Sequence, residues 1–267
     1  MISWKPNIYF NKGVGLNYSE NYLAECIKYG DNLNSNNLPV IFSLKHLSEI
    51  LNVSYGYLND IVNREANYYK DFLIKKKSGG YRKIIAPEPI LLLVLRFIHQ
   101  HILANCHYHS SSKAYLKGHS ILNNASIHCG SKWLIKIDIR RFFESISEKQ
   151  IYYCFNQMGY PPKLSFELAR ITTIVTPQSI QYGQKRWKNE DVFIGYLPQG
   201  FPTSPLLANK VCYHLDELLS QIAKDHRCSY TRYSDDIVFS TNFCNRNVAK
   251  IIIKRTNNVL ASFGFRP

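Results

Sequence analysis

The chain has 267 residues, of which 45% are hydrophobic, enough for a sizeable core and too apolar for disorder. Lys plus Arg number 33 against 19 Asp plus Glu, a net charge of +14, and 13% of residues are aromatic, a balance suited to polyanions and to unpaired bases that stack. Collagen, coiled coil and secreted mini-protein are excluded. The longest purely apolar run, residues 90–95, is far short of the roughly 20 residues that span a bilayer. The first ten residues lack the charged-then-apolar pattern of a signal peptide. Seven scattered cysteines without a CxxC pair predict a reducing, cytoplasmic setting.

In chain order, the first thirty-odd residues are polar with interspersed aromatics, and residues 32–37 read as a loop. Ser43 reads as the N-cap of a helix in which Leu44, Leu47, Ile50 and Leu51 recur at helical spacing. Ser54 reads as a second cap, with Tyr57, Leu58, Ile61 and Val62 on one face. The pair has the outline of a DNA-reading helix-turn-helix, but the motif is weak, and an ordinary helical pair packed on the main domain is the simpler reading. Residues 68–74 and 81–86 read as two strands. The turn between them, Lys75-Lys76-Lys77-Ser78-Gly79-Gly80, is loaded with cations suited to phosphate. Pro87 and Pro89 end the hairpin, and residues 90–103 form a strongly apolar helix interrupted by Arg96 and His99. His99, His101, Cys106, His107 and His109 lack the two well-spaced pairs of a closed zinc site and read as a histidine-rich helix end. No internal repeat is visible, and strand and helix segments alternate irregularly, which predicts an α+β class.

Three later elements carry chemistry. Trp133, Ile135, Ile137 and Ile139 face one way and Leu134, Lys136, Asp138 and Arg140 the other, a half-buried strand with a carboxylate near its end, opposite the core. Residues 230–240 give two β-type runs about a short polar turn, a hairpin. The adjacent Asp235 and Asp236 repel each other, a cost most easily offset by a divalent cation, which prefers oxygen ligands. With Asp138 beside this hairpin, three carboxylates converge and can hold two Mg2+ ions about 4 Å apart, for in-line attack at phosphorus. Period-2 geometry puts Asp235 and Asp236 on opposite faces, which makes Asp235 the ligand of both ions and Asp236 the weaker ligand. In the third element, Leu-Pro-Gln-Gly-Phe-Pro-Thr-Ser-Pro at residues 197–205, Thr203 or Ser204 can cap a helix and Pro205 suits its first position. Leu207, Val211, Leu215 and Leu218 form the buried stripe of that helix. Gly200 removes a side chain where a ligand could approach the backbone, and a helix N-terminus behind such a loop favours phosphate.

Together, in this order, the three elements resemble the palm of reverse transcriptases. Asp138 with Phe142-Phe143 resembles the first catalytic motif, Gln199-Gly200 with Ser204-Pro205 the second, and Tyr233-Ser234-Asp235-Asp236 the third. The resemblance runs from about Tyr68 to Pro267. Asn124-Ala125-Ser126-Ile127-His128 matches the Asn-Ala-x-x-His signature of bacterial retron reverse transcriptases. Their Val-Thr-Gly thumb signature is absent, residues 247–263 read as the helix of the fourth palm motif, and a missing or truncated thumb is expected.

The resemblance implies a right-hand polymerase: an N-terminal helical extension over residues 1–63, fingers over 64–130 and a palm over 131–267. The palm is then a small antiparallel sheet backed by helices, with residues 147–196 a mostly helical insertion partly returning to the fingers. The implied activity is RNA-directed DNA synthesis with two Mg2+ ions on Asp138, Asp235 and Asp236. A retron enzyme copies its own structured noncoding RNA, from the 2′-hydroxyl of an internal guanosine, into branched single-stranded DNA; such systems generally act in antiphage defence with an effector protein. Lys75 and Arg82 resemble the finger cations that grip an incoming triphosphate, with Lys76, Lys77 and Lys83 near enough to be confused with them. Gln199 and Gly200 are implied in nucleotide binding. Phe143 has the spacing of the sugar gate; Phe142 is its competitor and is expected in the core. Asn124 and His128 are implied in handling the RNA or priming, unless His128 packs beneath the first palm strand as a structural residue. Three other readings stay open: a defence reverse transcriptase that copies another RNA or needs no template, a non-catalytic RNA-binding palm, and a metal-dependent nuclease using the same carboxylates.

Overall fold

Two serines open helices as their positions demand: Ser19 Oγ accepts from the Tyr22 N–H at 3.4 Å and Ser43 Oγ from the His46 N–H at 3.2 Å. The structure, a computed structural model, describes residues 4–76, 79–175 and 194–267, so Lys77, Ser78 and residues 176–193 of the predicted 147–196 insertion lie outside the described residues. The chain divides into two compact units, one of residues 1–106, 151–174 and 200–203, the other of 107–150, 175–199 and 204–267.

The first unit begins with α1 (Pro6–Gly15), α2 (Glu20–Ser35), α3 (Leu44–Leu51) and α4 (Tyr55–Asn63). Helix α2 runs through Asn32 and Asn34, which composition assigns to a loop. Leu33 is fully buried there, and its packing outweighs the weak helix propensity of asparagine and serine. Asn52, in the left-handed region at φ 51°, separates α3 from α4. The two are an ordinary helical pair: α4 packs on α8 (Pro162–Thr172), and Arg64 at its C-terminus donates to the carbonyls of Arg170 at 2.9 Å and Thr173 at 2.7 Å. Strands β1 (Tyr69–Lys75) and β2 (Tyr81–Pro87) form an antiparallel ribbon. Pro89 sits in the first turn of α5 (Pro89–Phe97). The predicted helix over residues 90–103 is helical throughout, but its winding changes after Phe97, widening over Ile98–Ile102 and tightening over Leu103–Asn105. Its stripe of Leu91, Val94, Leu95, Ile98 and Ile102 stays buried throughout.

The second unit holds α6 (Ile121–Ser126), β3 (Trp133–Asp138), the start of α7 (Glu148–Gln157), α9 (Ser204–Val211), α10 (Tyr213–Asp225), β4 (Ser229–Tyr233), β5 (Asp236–Thr241) and α11 (Arg246–Ser262). Its antiparallel sheet has the order β3-β5-β4. Ile135, Ile137, Ile237, Phe239 and Tyr230 form the buried face, with α10 against β4 and α11 against β3. The single helix expected after Pro205 is broken at Cys212 (φ −79°, ψ 4°). The break resets the stripe to Leu215, Leu219 and Ile222 and leaves Leu218 47% exposed. Helices with two small antiparallel sheets make the class α+β. Among the described residues no helix is long and apolar enough to cross a membrane.

Candidate active site

The alternation in β3 survives folding: Ile135 and Ile137 are buried, whereas Leu134, Lys136 and Asp138 are exposed. Pairing with the central strand then places Asp138 directly opposite Asp236. Opposed residues of antiparallel strands project to the same face, with Cα atoms about 4.5–5.5 Å apart. Tyr233 pairs with Asp236, so Ser234 and Asp235 are the two residues of the hairpin turn, Ser234 in the left-handed region at φ 60°. The Ile139 N–H donates to the Asp235 carbonyl at 3.0 Å and ties this turn to the chain leaving β3. Three aspartates thus stand at one end of the sheet. The expected division of Asp235 and Asp236 between opposite faces needs correction. Asp235 belongs to the turn, where strand alternation does not apply, and it is Asp236 that shares the Asp138 face.

Lys136 stands on that face and its Nζ lies 2.9 Å from Asp236 Oδ1. The hydrogen bond to Asp236, with the charges of Asp236, Asp138 and Asp235 behind it, raises the Lys136 pKa against the effect of burial. Among the described residues no three His, Cys, Asp or Glu side chains converge as a ready-made metal cluster. The donors nonetheless fit a divalent cation. They are hard carboxylate oxygens on one sheet end, and Lys136 offsets part of the repulsion at Asp236.

Beneath the turn lies a residue that motif reading misses. Arg232 is fully buried on β4 and spends all five donors: Nε and Nη2 on the Asp216 carboxylate at 2.8 and 2.7 Å, Nη1 on Asn209 Oδ1 at 3.2 Å and the Ser234 carbonyl at 3.0 Å, and Nη2 again on Ser112 Oγ at 3.4 Å. Tyr230 donates its hydroxyl to the same Asp216 carboxylate at 2.7 Å. Burial works to lower the Arg232 pKa, but Asp216, with Cys212 and Tyr230, outweighs it and holds the guanidinium charged. The sequence signal was present: an arginine inside a β-type run, and an aspartate between Leu215 and Leu219 on the buried stripe of α10.

The remaining candidates fall as follows. Phe142 is 3% exposed and packs on Phe265, whereas Phe143 is half-buried, its ring 5.4 Å from that of Phe142. Gln199 is half-buried. Gly200 has φ +118°, and a Cβ there would lie 2.3 Å from the Ile85 carbonyl oxygen. The close approach that requires glycine is therefore made by β2 rather than by a ligand. Neither Thr203 nor Ser204 caps α9; both hydroxyls are buried without a hydrogen-bond partner. Pro205 at the second helical position lacks one of the N–H groups a cap would bind. On the ribbon, Lys75 pairs with Tyr81 and Arg82 with Ile74, so the two cations start from alternate faces. Lys83 is engaged by Asp71 at 2.8 Å. His128 lies across the second and third strands of the sheet rather than beneath the first. Its ring nitrogens are 2.7 Å from both Ser240 Oγ and Thr231 Oγ1, and burial lowers its pKa. Asn124, one turn before it on α6, buries Oδ1 without a partner.

Known proteins resemble this chain over most of its length. The family model described as "Reverse transcriptase (RNA-dependent DNA polymerase)" matches residues 74–266. The retron Mx162 reverse transcriptase of Myxococcus xanthus is 28% identical over 99% of this chain and 57% of its own length. The retron Ec73 and Ec83 reverse transcriptases of Escherichia coli are 33% and 29% identical, each over 75% of this chain and over 62% and 61% of their own lengths. The chain thus spans about three fifths of the length of these curated relatives. Reverse transcriptases generally use divalent metal ions. A match over most of the chain places it in the reverse transcriptase (RNA-dependent DNA polymerase) family, with retron enzymes among its relatives.

Proposed function

We propose that this chain is the catalytic part of a retron reverse transcriptase, an RNA-directed DNA polymerase that copies a structured noncoding RNA into branched single-stranded DNA. The observation that carries the reading is the register of Asp138 against Asp236, with the Asp235 turn bonded to Ile139. Asp138, Asp235 and Asp236 would hold two Mg2+ ions, which when bound supply nucleophile activation and leaving-group stabilisation. The chain's own residues bind and orient. Lys136 orients the Asp236 carboxylate. Phe143 excludes the 2′-hydroxyl of a ribonucleotide, and Gln199 with Gly200 borders the nucleotide. Arg82 takes phosphate in bidentate fashion and Lys75 as a point charge. Asn124 and His128 handle the RNA or its priming hydroxyl. In right-hand terms the ribbon belongs to the fingers and the three-stranded sheet to the palm. The partners are the cognate RNA, the DNA product and an effector protein of a cytoplasmic antiphage system.

Extension of a primer annealed to an RNA template tests the reading. Asp138→Asn and Asp235→Asn are each expected to abolish nucleotide addition and leave RNA binding nearly intact, since binding rests on Lys and Arg neutralising phosphates. Polymerisation by Asp235→Asn within tenfold of the parent refutes the assignment. Substituting His128 is expected to impair branched priming more than extension of an annealed primer; equal loss reduces the ring to a support of the sheet.

A further inference from the structure

Tyr115 lies in the left-handed region at φ 66°, a conformation that a bulky residue keeps only when its surroundings hold it there. The holding groups belong to the buried arginine network. The Arg232 N–H donates to the Ser111 carbonyl at 2.9 Å, the Lys113 N–H to the Arg232 carbonyl at 2.8 Å, and Asn209 Nδ2 to the Ala114 carbonyl at 2.9 Å. The segment before Tyr115 is thereby laid along β4, and the Tyr115 side chain reaches the turn. Its hydroxyl donates to Ser234 Oγ at 2.8 Å. Its ring centroid is 6.4 Å from that of Phe143, planes at 50°, within the range of aromatic attraction. Ser234 is only 7% exposed, so its hydroxyl needs a partner, and Tyr115 supplies one. The tyrosine itself stays 45% exposed, more than a residue kept for core packing alone would be.

We propose that Tyr115 is a positioning residue for nucleotide addition: its hydroxyl, through Ser234, fixes the turn that carries Asp235, and its ring props Phe143 beside the sugar of the incoming nucleotide. The proposal rests on the reading of Asp235 and Phe143 given above. The side chain has two separable halves, so two kinetic constants should respond to different substitutions.

The test is single-nucleotide incorporation on an annealed RNA template by Tyr115→Phe, Ser234→Ala, their double variant, and Tyr115→Leu. Tyr115→Phe and Ser234→Ala are each expected to lower kcat about three- to tenfold, the range of one hydrogen bond, with KM nearly unchanged. The double variant should be no slower than the slower single one, because both delete the same bond. Tyr115→Leu keeps bulk without a ring and is expected to raise the ribo- to deoxyribonucleotide ratio of kcat/KM at least fivefold, whereas Tyr115→Phe leaves that ratio unchanged. Multiplying losses in the double variant, or an unchanged ratio in Tyr115→Leu, overturns the proposal. Should Tyr115→Leu fail to fold, the hydroxyl pair decides, and parental kcat in both overturns it. Asp235→Asn in the same assay separates the two levels. An active Asp235→Asn removes the site assignment itself; an inactive one beside Tyr115 variants of parental behaviour removes only the role of Tyr115.

Discussion

Removing Asp216 from beneath the turn should unfold the protein more readily, and a compensated double substitution should restore stability without restoring activity. In Asp216→Ala the Arg232 guanidinium stays buried while Nε and its Nη2 bond to the carboxylate lose their acceptor, and the Tyr230 hydroxyl loses its own. Breaking a fully buried ion pair from one side costs about 3–5 kcal/mol, and an orphaned buried hydroxyl adds about 1–3 kcal/mol. The sum, about 4–8 kcal/mol, is comparable with the whole stability of a typical domain, about 5–15 kcal/mol. At about 2–4 °C per kcal/mol, Tm should fall by about 8 °C or more. Asp216→Leu combined with Arg232→Met replaces the pair by apolar groups of similar size, a change that is often near neutral. Most of the lost Tm should return. The Ser234 carbonyl, however, no longer receives a donor from Arg232, so the turn bearing Asp235 is less firmly held and primer extension should remain well below the parent. Thermal unfolding and primer extension on the same preparations read both quantities. Full recovery of extension in the double variant would refute a positioning role for the buried pair, and an unchanged Tm in Asp216→Ala would refute the pair itself.

Phe143→Ala is expected to raise the ribo- to deoxyribonucleotide ratio of kcat/KM tenfold or more, whereas Phe142→Ala, 3% exposed in the parent, should mainly destabilise the fold, by about 3–5 kcal/mol. An unchanged ratio in the first with a shifted one in the second reverses the assignment. Arg82→Ala should raise the nucleotide KM and slow incorporation, and Lys83→Ala should do so much less because Lys83 is paired with Asp71; single-turnover kinetics showing neither change in Arg82→Ala removes it from the site. Burial lowers the pKa of His46, His109 and His128 below the ordinary 6.5, so the unfolded chain binds these protons first and stability is lost as pH falls through and below about 6.5. Urea midpoints at pH 7.5 and 5.5 should show that loss, and His128→Gln should shrink it; an equal loss in the variant excludes His128 as a contributor.

Much of the site is legible in single segments. The alternation in residues 133–139 places Asp138 on the outer face because strand geometry has a period of two, and that pattern is local. Ser43 marks a helix start for the same kind of reason: the groups that satisfy each other lie three residues apart. The order of the three motifs then points to the family before any contact is known. What the segments leave open are pairings between residues distant in sequence. Asp235 and Asp236 look like alternating strand residues until the pairing of Tyr233 with Asp236 makes Asp235 part of a turn. The reason for Gly200 is the Ile85 carbonyl, more than a hundred residues earlier in the chain. The stripe expected on one helix breaks at Cys212, and Leu218 faces solvent as a result. Arg232 and Asp216 each look like a misplaced charge in an apolar pattern, and only the packing of α10 on β4 turns the two into one neutralised unit beneath the turn. Periodicity encodes which face of an element is buried. Which charges and carbonyls meet across that buried face depends on register and packing, and the tertiary structure alone decides those.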